Sequence, residues 1–319
     1  MLIKYSDNLF KQVIGIIAYN WGRLAFFVVI STYATLQIRF NEMFGWWILE
    51  IPVFPVTILG GALAIFLGFR NNSAYDRWWE ARKIWGGIVN SSRTFATMIM
   101  SFASPHHSDG KLQQIEIWEW QKQMIYRHIS WMHALRMHLR KKFNWDELNP
   151  YMSEEEIELI KTRTNKPVQL LNLQGIGLME AFDRAIIEDF RHMELTNLLK
   201  EFYTLQGKAE RIKNTIFPYY YNYFTRLFLW LFVICLPFTL IEFMEWGTIP
   251  MSVAISFMFS ILEKSGEVTE DPFEGRAADT PMNTITRSIE IDLREMLGDE
   301  DIPQPMPFKT ARFGVQYFD

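Results

Sequence analysis

The stretch IFLGFRNNSAYDRWWEAR occupies residues 65–82 and joins an apolar segment directly to a polar one. It carries no charged residue up to Phe69, and five charged residues from Arg70 to Arg82. The charges therefore appear within about three turns of a helix. This pattern predicts a helix that leaves a membrane and continues into water, and taken alone it is also typical of an interfacial helix anchor.

Composition places the chain among integral membrane proteins. Charged residues make up 21% of the chain and aromatic residues 16%, whereas about 25% of the residues in soluble domains are charged. Four stretches are almost free of charge, namely residues 24–38, 46–69, 219–243 and 249–262. Since a helix crosses a bilayer with about 20 apolar residues, we predict an all-α membrane protein with four transmembrane helices. The alternative for the short fourth stretch is a buried core helix.

The distribution of basic residues orients the spans. The turn after the third span, residues 242–247, contains neither Lys nor Arg, whereas the segment after the second span is rich in both. By the positive-inside rule, both termini and the long middle region lie in the cytoplasm. The predicted location is the cell membrane, which is the inner membrane if the source is bacterial.

Four regions follow from this pattern. Residues 1–70 hold an N-terminal helix and the first two spans, and residues 71–218 form a mainly cytosolic helical domain. Residues 219–262 hold the third and fourth spans, and residues 263–319 form a cytosolic helix and an extended tail. The tail after Pro303 is rich in proline, and we predict that it wraps a neighbouring subunit.

Local signals divide the middle region into helices. Residues 115–143 lack Gly and Pro, and residues 178–213 have apolar residues at helical spacing, so each range is predicted to be one helix. Ser153 and Glu156 form a capping-box pattern that starts another. Pro52 and Pro55 are predicted to break the start of the second span and to leave a regular helix from about Val56.

Three blocks of sequence resemble one family. The first is FLGFRNNSAYDRWWEARKIWG at residues 66–86, and the second is GKAERIKNTIFPYYY at residues 207–221. The third combines EDPF at 270–273, DTPM at 279–282 and IEIDL at 289–293. In this order the blocks resemble the signature of the bestrophin family of ion channels, in its bacterial and plant branch. The resemblance implies a homopentamer around one central pore.

The resemblance also implies a narrow neck lined by the second span. A step of four residues back from Phe69 reaches Ile65 and then Gly61, which share one helix face. Rings of these apolar side chains would form a constriction that gates by wetting. From the residues alone, packing against lipid or other helices is the alternative. Gly61 departs from the family, in which a bulkier residue is common at this ring.

Selectivity is less clearly indicated. The positive edges of the Phe69 rings favour an anion such as chloride. Arg70 would add positive charge if it faced the pore, and its alternative is a pairing with a lipid phosphate. Glu180 and Asp183 would attract cations if they lined the vestibule. Ile176 is predicted to form a second, cytosolic aperture, with a buried core position as the alternative.

No enzymatic or metal chemistry is predicted, and no cofactor. Animal bestrophins bind calcium through a run of acidic residues, whereas residues 271–279 carry scattered carboxylates with Arg276 among them. A calcium site needs about six to eight clustered oxygens. The net charge of −4 argues against a nucleic-acid partner, and Cys235 is a lone cysteine in an apolar run.

The predicted function is a passive chloride channel, which needs a lipid bilayer, permeating monovalent ions and its own copies as partners. A sodium-selective channel of the same fold is the first alternative. A membrane-anchored helical scaffold or sensor is an alternative of another class. A secondary transporter is disfavoured because no inverted repeat is visible in the sequence.

Overall fold

The computed structural model describes residues 2–4, 9–45, 51–105, 113–310 and 316–319. These ranges form ten α-helices: α1 Leu9–Tyr19, α2 Trp21–Phe44, α3 Val53–Phe102, α4 Gln114–Arg140, α5 Glu154–Lys161, α6 Lys166–Asp183, α7 Asp189–Asn214, α8 Tyr219–Met244, α9 Thr248–Thr269 and α10 Met282–Leu297. Three short strands, β1 Leu2–Lys4, β2 Lys309–Thr310 and β3 Gln316–Tyr317, form an antiparallel sheet in the order β1-β3-β2. The predicted start of the second span, residues 46–50, lies outside the described residues.

Helix α3 is the longest element and runs through both halves of the molecule. Pro52 precedes it and Pro55 lies in its first turn, where a missing N–H removes no intrahelical hydrogen bond. At 1.5 Å per residue, the 50 residues of α3 extend about 75 Å, whereas a hydrocarbon core is about 30 Å thick. The predicted boundary at residue 70 therefore lies inside one continuous helix.

Three stretches are long and apolar enough to cross a membrane. They are α2, α3 and a stretch within Asp189–Thr269. This range also contains the hairpin of α8 and α9. The hairpin turns through a short 3₁₀ segment at Glu245–Gly247. Helix α9 contains the predicted fourth span, extends seven residues beyond it, and packs against α2, α3 and α8.

Small and apolar side chains hold this bundle together. The buried side of α9 carries Ser252, Ser256 and Ser260, and small residues of this kind let membrane helices approach closely. The apolar cluster of the bundle is formed by residues of α2, α3, α8 and α9: Phe27, Val56, Leu63, Leu67, Leu229, Phe232, Val233, Leu236 and Phe259. A Cβ atom on Gly60 would lie 2.9 Å from the ring of Phe232, so a larger residue at position 60 would force this ring to shift between α3 and α8.

A second apolar core lies in the other half of the molecule. There the C-terminal half of α3 packs with α4, α7 and α10, and α6 packs on α4 and α7. The ring of His128 is fully buried in this core, with ring centroids 4.9 Å from Phe95 and 4.5 Å from Phe202. Its Nε2 atom lies 2.9 Å from the hydroxyl of Ser92.

One helix prediction is confirmed and another is wrong. Ser153 caps α5 through a complete capping box with Glu156. The predicted single helix over residues 178–213 is instead divided between α6 and α7. The chain turns at Ala185, which has a φ of 53°, and this turn buries Ile186 and Ile187.

The C-terminal tail packs against its own chain and takes part in a small sheet. Only helices were predicted from the sequence, so this sheet was missed. Strand β3 pairs with β1 near the other end of the chain and with β2. The carboxylate of Asp319 lies 2.6 Å from Arg140, and its backbone oxygen accepts a hydrogen bond of 2.7 Å from the N–H of Thr284.

The buried imidazole makes stability depend on pH. Burial lowers the pKa of His128 to about 3, so the folded state favours the neutral ring. The contribution of His128 is complete above the unfolded pKa of about 6.5 and is lost as the pH falls toward 3. We expect the free energy of unfolding to decrease by about 1.4 kcal/mol per pH unit in this window. Thermal unfolding in detergent at pH 7.5 and pH 5 measures the effect. His128→Phe is the control and must show a weaker pH dependence; an equal dependence in both proteins would contradict the assignment.

Candidate pore-lining surface

One face of α3 is left uncovered by the rest of its own chain. Phe54, Ile58, Ile65 and Phe69 are 75%, 56%, 61% and 66% exposed. A Cβ atom placed on Gly61 would have no neighbour within 4 Å. The spacing of three or four residues puts these positions on one side of the helix. The predicted neck residues Gly61, Ile65 and Phe69 thus lie together on a free apolar face.

The same face becomes polar after Phe69. Asn72, Ser73 and Asp76 follow at helical spacing and are exposed. Lipid chains would satisfy the apolar part of this face, but they would leave the amide, hydroxyl and carboxylate groups of the polar part without hydrogen-bond partners. The apolar part therefore needs lipid or another protein surface beside it, and the polar part needs water or polar groups.

Arg70 lies on the opposite side of α3, and both expectations for it are wrong. Its side chain is 0% exposed. One guanidinium nitrogen lies 3.5 Å from the carboxylate of Glu263, and another lies 3.1 Å from that of Glu270. Because both partners belong to the same chain, Arg70 faces neither a pore nor a lipid headgroup.

The carboxylate of Glu263 forms ion pairs with arginines from three helices. It lies 3.0 Å from Arg23 of α2, 3.5 Å from Arg70 of α3 and 3.4 Å from Arg226 of α8. Glu263 itself belongs to α9 and is 1% exposed. This ion-pair cluster therefore joins all four helices of the bundle at one level.

A close contact beside the cluster holds α9 against α3. The side-chain amide of Asn71 donates a hydrogen bond of 3.0 Å to the carbonyl oxygen of Leu262. A Cβ atom on Gly266 would lie 2.2 Å from the Asn71 oxygen. A larger residue at position 266 would force the Asn71 side chain to move. Residues 70 and 71 thus both hold this side of α3 against α9.

Ile176 lies on a free surface of α6. Its side chain is 47% exposed and that of Met179 is 48% exposed, so the buried-core alternative for Ile176 is wrong. Glu180 and Asp183 are exposed on the same helix. The structure thus leaves an apolar pair and two carboxylates uncovered near the end of α6.

The carboxylates of residues 270–279 have partners within the chain. Glu270 pairs with Arg70, and Glu274 pairs with Lys213. Asp279 is buried, which raises the pKa of its carboxyl group, and it accepts a hydrogen bond of 3.0 Å from the N–H of Arg276. No group of three or more His, Cys, Asp or Glu residues with metal-site geometry occurs in the described part of the chain.

A helical bundle with membrane-spanning stretches is continuous, through α3, with a second helical core, and this architecture defines an α-helical membrane protein with a large domain outside the spans. Sequence comparison leads to the same class: a family profile described as "Bacterial/Fungal Bestrophin protein" matches residues 8–295. The chain belongs to the bestrophin family. It is therefore an all-α membrane protein of an ion-channel family, and not an enzyme.

Relatives and solved structures agree with this assignment. The chain is 31% identical over 255 residues to the "Voltage-dependent anion channel-forming protein YneE" of Escherichia coli K12, covering 80% of each chain. It is 29% identical over 289 residues to the protein of the same name from Salmonella typhi, covering 91% of this chain and 90% of that one. A crystal structure of a bacterial bestrophin homologue from Klebsiella pneumoniae superposes with a TM-score of 0.78 at 27% identity, covering 88% of this chain and 98% of that one.

The burial of Arg70 has a measurable consequence. Arg70→Gln leaves the buried Glu263 and Glu270 short of a counter-charge, which typically costs about 3–5 kcal/mol. The matched control is Arg226→Gln, because Arg226 also contacts Glu263 but its side chain is 52% exposed; it should cost at most about 1 kcal/mol. Unfolding of the purified proteins in detergent compares the two. Equal stability losses would contradict the buried position of Arg70.

Proposed function

We propose that the chain is a passive channel that carries anions such as chloride through a hydrophobic neck at the axis of a homopentamer. The observation that carries this proposal is the uncovered face of α3, which is apolar from Phe54 to Phe69 and polar from Asn72 to Asp76. Copies of this face arranged around an axis would cover the apolar part and leave the polar part beside water.

In such an assembly, five copies of Ile65 and five of Phe69 surround a narrow path. Apolar constrictions of this kind conduct when they are wet and stop conducting when they lose water. Gly61 adds no side chain to its ring, so the neck is widest there. Ile176, exposed on α6, is proposed to form a second aperture in the cytosolic part.

The proposed topology has four spans and places both termini in the cytoplasm. Helices α2, α3, α8 and α9 form one bundle. Three of its arginines, Arg23, Arg70 and Arg226, meet Glu263 at one end, whereas among the described arginines Arg39 alone lies near the hairpin turn at the other end. The hairpin turn at Glu245–Gly247 contains no Lys or Arg. The positive-inside rule assigns the basic end to the cytoplasm, which is the inner face if the membrane is a bacterial inner membrane.

Anion selectivity is supported by the relatives, which are described as anion channel-forming proteins. The edges of the Phe69 rings carry partial positive charge and would favour an anion in the neck. Arg70 contributes no charge to the path because it is buried between carboxylates. Selectivity would then depend on the neck itself.

One observation favours a cation-selective channel, such as a sodium channel, as the second candidate. Asp76 is exposed on the same α3 face as Phe69, and Glu180 and Asp183 are exposed on α6 beyond Ile176. Rings of carboxylates attract cations to a pore. The balance between these carboxylates and the aromatic neck decides the sign of the selectivity.

Ion flux through reconstituted vesicles tests the proposal. Under a NaCl gradient, the sign of the reversal potential distinguishes chloride from sodium as the main permeant ion, and we expect the sign for chloride. The opposite sign would select the cation channel. A protein without flux would be a scaffold or sensor, and a mass in detergent other than five times the 37.8 kDa chain would contradict the pentamer.

Variants of the neck residues test the neck assignment in the same flux experiment. Phe69→Ala and Ile65→Ala remove apolar bulk from the path, so conductance should rise while stability changes little, because both side chains are mostly exposed within the subunit. Leu67→Ala is the control on the buried face of α3; it should cost about 2–5 kcal/mol of stability and leave selectivity unchanged. If the exposed and buried variants had the same effects, the neck would be misassigned.

A further inference from the structure

A basic cleft lies where the C-terminal ends of α4 and α7 meet the start of α6. Its volume is about 370 Å³, and each of these three helix ends supplies one lysine to its wall, namely Lys141, Lys213 and Lys166. Leu139 and Phe143 provide an apolar part of the wall, and Glu210 provides a carboxylate. We call this feature the basic cleft.

Positive charge is in excess in the basic cleft. Among the described residues, Lys141 and Lys166 form no ion pair; the ammonium of Lys166 lies 5.1 Å above the ring of Phe143. Lys213 is paired with Glu274. The carboxylate of Glu210 already accepts hydrogen bonds of 2.9 Å from Asn165 and 2.8 Å from Gln206. The ammonium of Lys166 also donates a hydrogen bond of 3.3 Å to the carbonyl oxygen of Arg163, and since an ammonium group has three donors, both lysines can still bind an added anion.

His138, Lys141 and Lys166 all line the basic cleft. Burial lowers the pKa of His138, Glu210 opposes the shift, and the charges of Lys166 and Lys141 lower the pKa further. A neutral imidazole still donates one N–H. Within the described part of the chain, Lys141 and Lys166 have no paired carboxylate, so a bound anion would supply the missing counter-charge.

The basic cleft also lies close to the membrane. Asn214 lines it and ends α7, and the membrane helix α8 begins five residues later at Tyr219. Five residues span at most about 18 Å. The intervening Ile216 is 85% exposed and Tyr219 is 68% exposed, and exposed aromatic residues at a span end are typical of the headgroup level.

We propose that the basic cleft binds a phosphate group, carried either by an anionic lipid headgroup or by a soluble phosphate compound. Lysine ammonium groups bind phosphate oxygens as compact point charges with several donors. Basic pockets between membrane helices on the cytoplasmic side bind lipid headgroups through the same charge attraction. The volume of about 370 Å³ has room for such a group.

The test uses the full chain with Lys141→Gln and Lys166→Gln combined, and Lys200→Gln with Lys208→Gln as the matched control. The control lysines are exposed on α7 and lie outside the cleft. One arm titrates inorganic phosphate against thermal unfolding at constant ionic strength. The other arm uses native mass spectrometry to measure phosphatidylglycerol retained after purification from vesicles of phosphatidylcholine and phosphatidylglycerol.

The wild-type and control proteins should bind in at least one arm, and the cleft variant should bind roughly tenfold or more weakly. Retention of phosphatidylglycerol without a phosphate effect identifies the lipid source, and the reverse identifies a soluble source. Equal binding by the cleft variant and the wild type, or no binding in either arm, overturns the proposal. Both arms measure binding and not flux, so the result is independent of whether the protein conducts ions.

Discussion

A guanidinium group buried between two carboxylates sets the orientation of the longest helix. Arg70 contacts Glu263 and Glu270, and it cannot turn outward without leaving buried charge unpaired, which costs several kcal/mol. Consecutive helix residues are about 100° apart, so fixing Arg70 also fixes Phe69 on the free side. The ion-pair cluster thus determines which residues of α3 are available to line a path.

Much of the fold could be predicted from patterns among residues that are close in the sequence. The apolar stretches predicted α2, α3 and α8, because burial in a membrane requires continuous runs of apolar residues. The capping box predicted the start of α5 at Ser153, since its hydrogen bonds join residues three positions apart. The candidate site was predicted in the same way: the helical period puts Gly61, Ile65 and Phe69 on one face, and the family resemblance selected that face.

Features that depend on distant residues were missed. Arg70 is separated from Glu263 by 193 positions, and no local pattern shows that this arginine is buried. The turn between α6 and α7 contains neither Gly nor Pro, and it forms because Ile186 and Ile187 enter the core. The terminal sheet joins residues near the two ends of the chain, so its strands are too short and too far apart to be recognised separately. The basic cleft likewise combines lysines from three helix ends.

The central claim, that the free face of α3 borders the ion path, is tested most directly by thiol accessibility. With the native Cys235 replaced by Ala, cysteine is introduced at Ile65→Cys, Phe69→Cys or Leu67→Cys, and a charged, water-soluble thiol reagent is applied to conducting vesicles. The account predicts that cysteines at positions 65 and 69 react and that flux falls, while a cysteine at position 67 stays protected on the buried face. Rapid reaction at position 67, with none at positions 65 and 69, would contradict it.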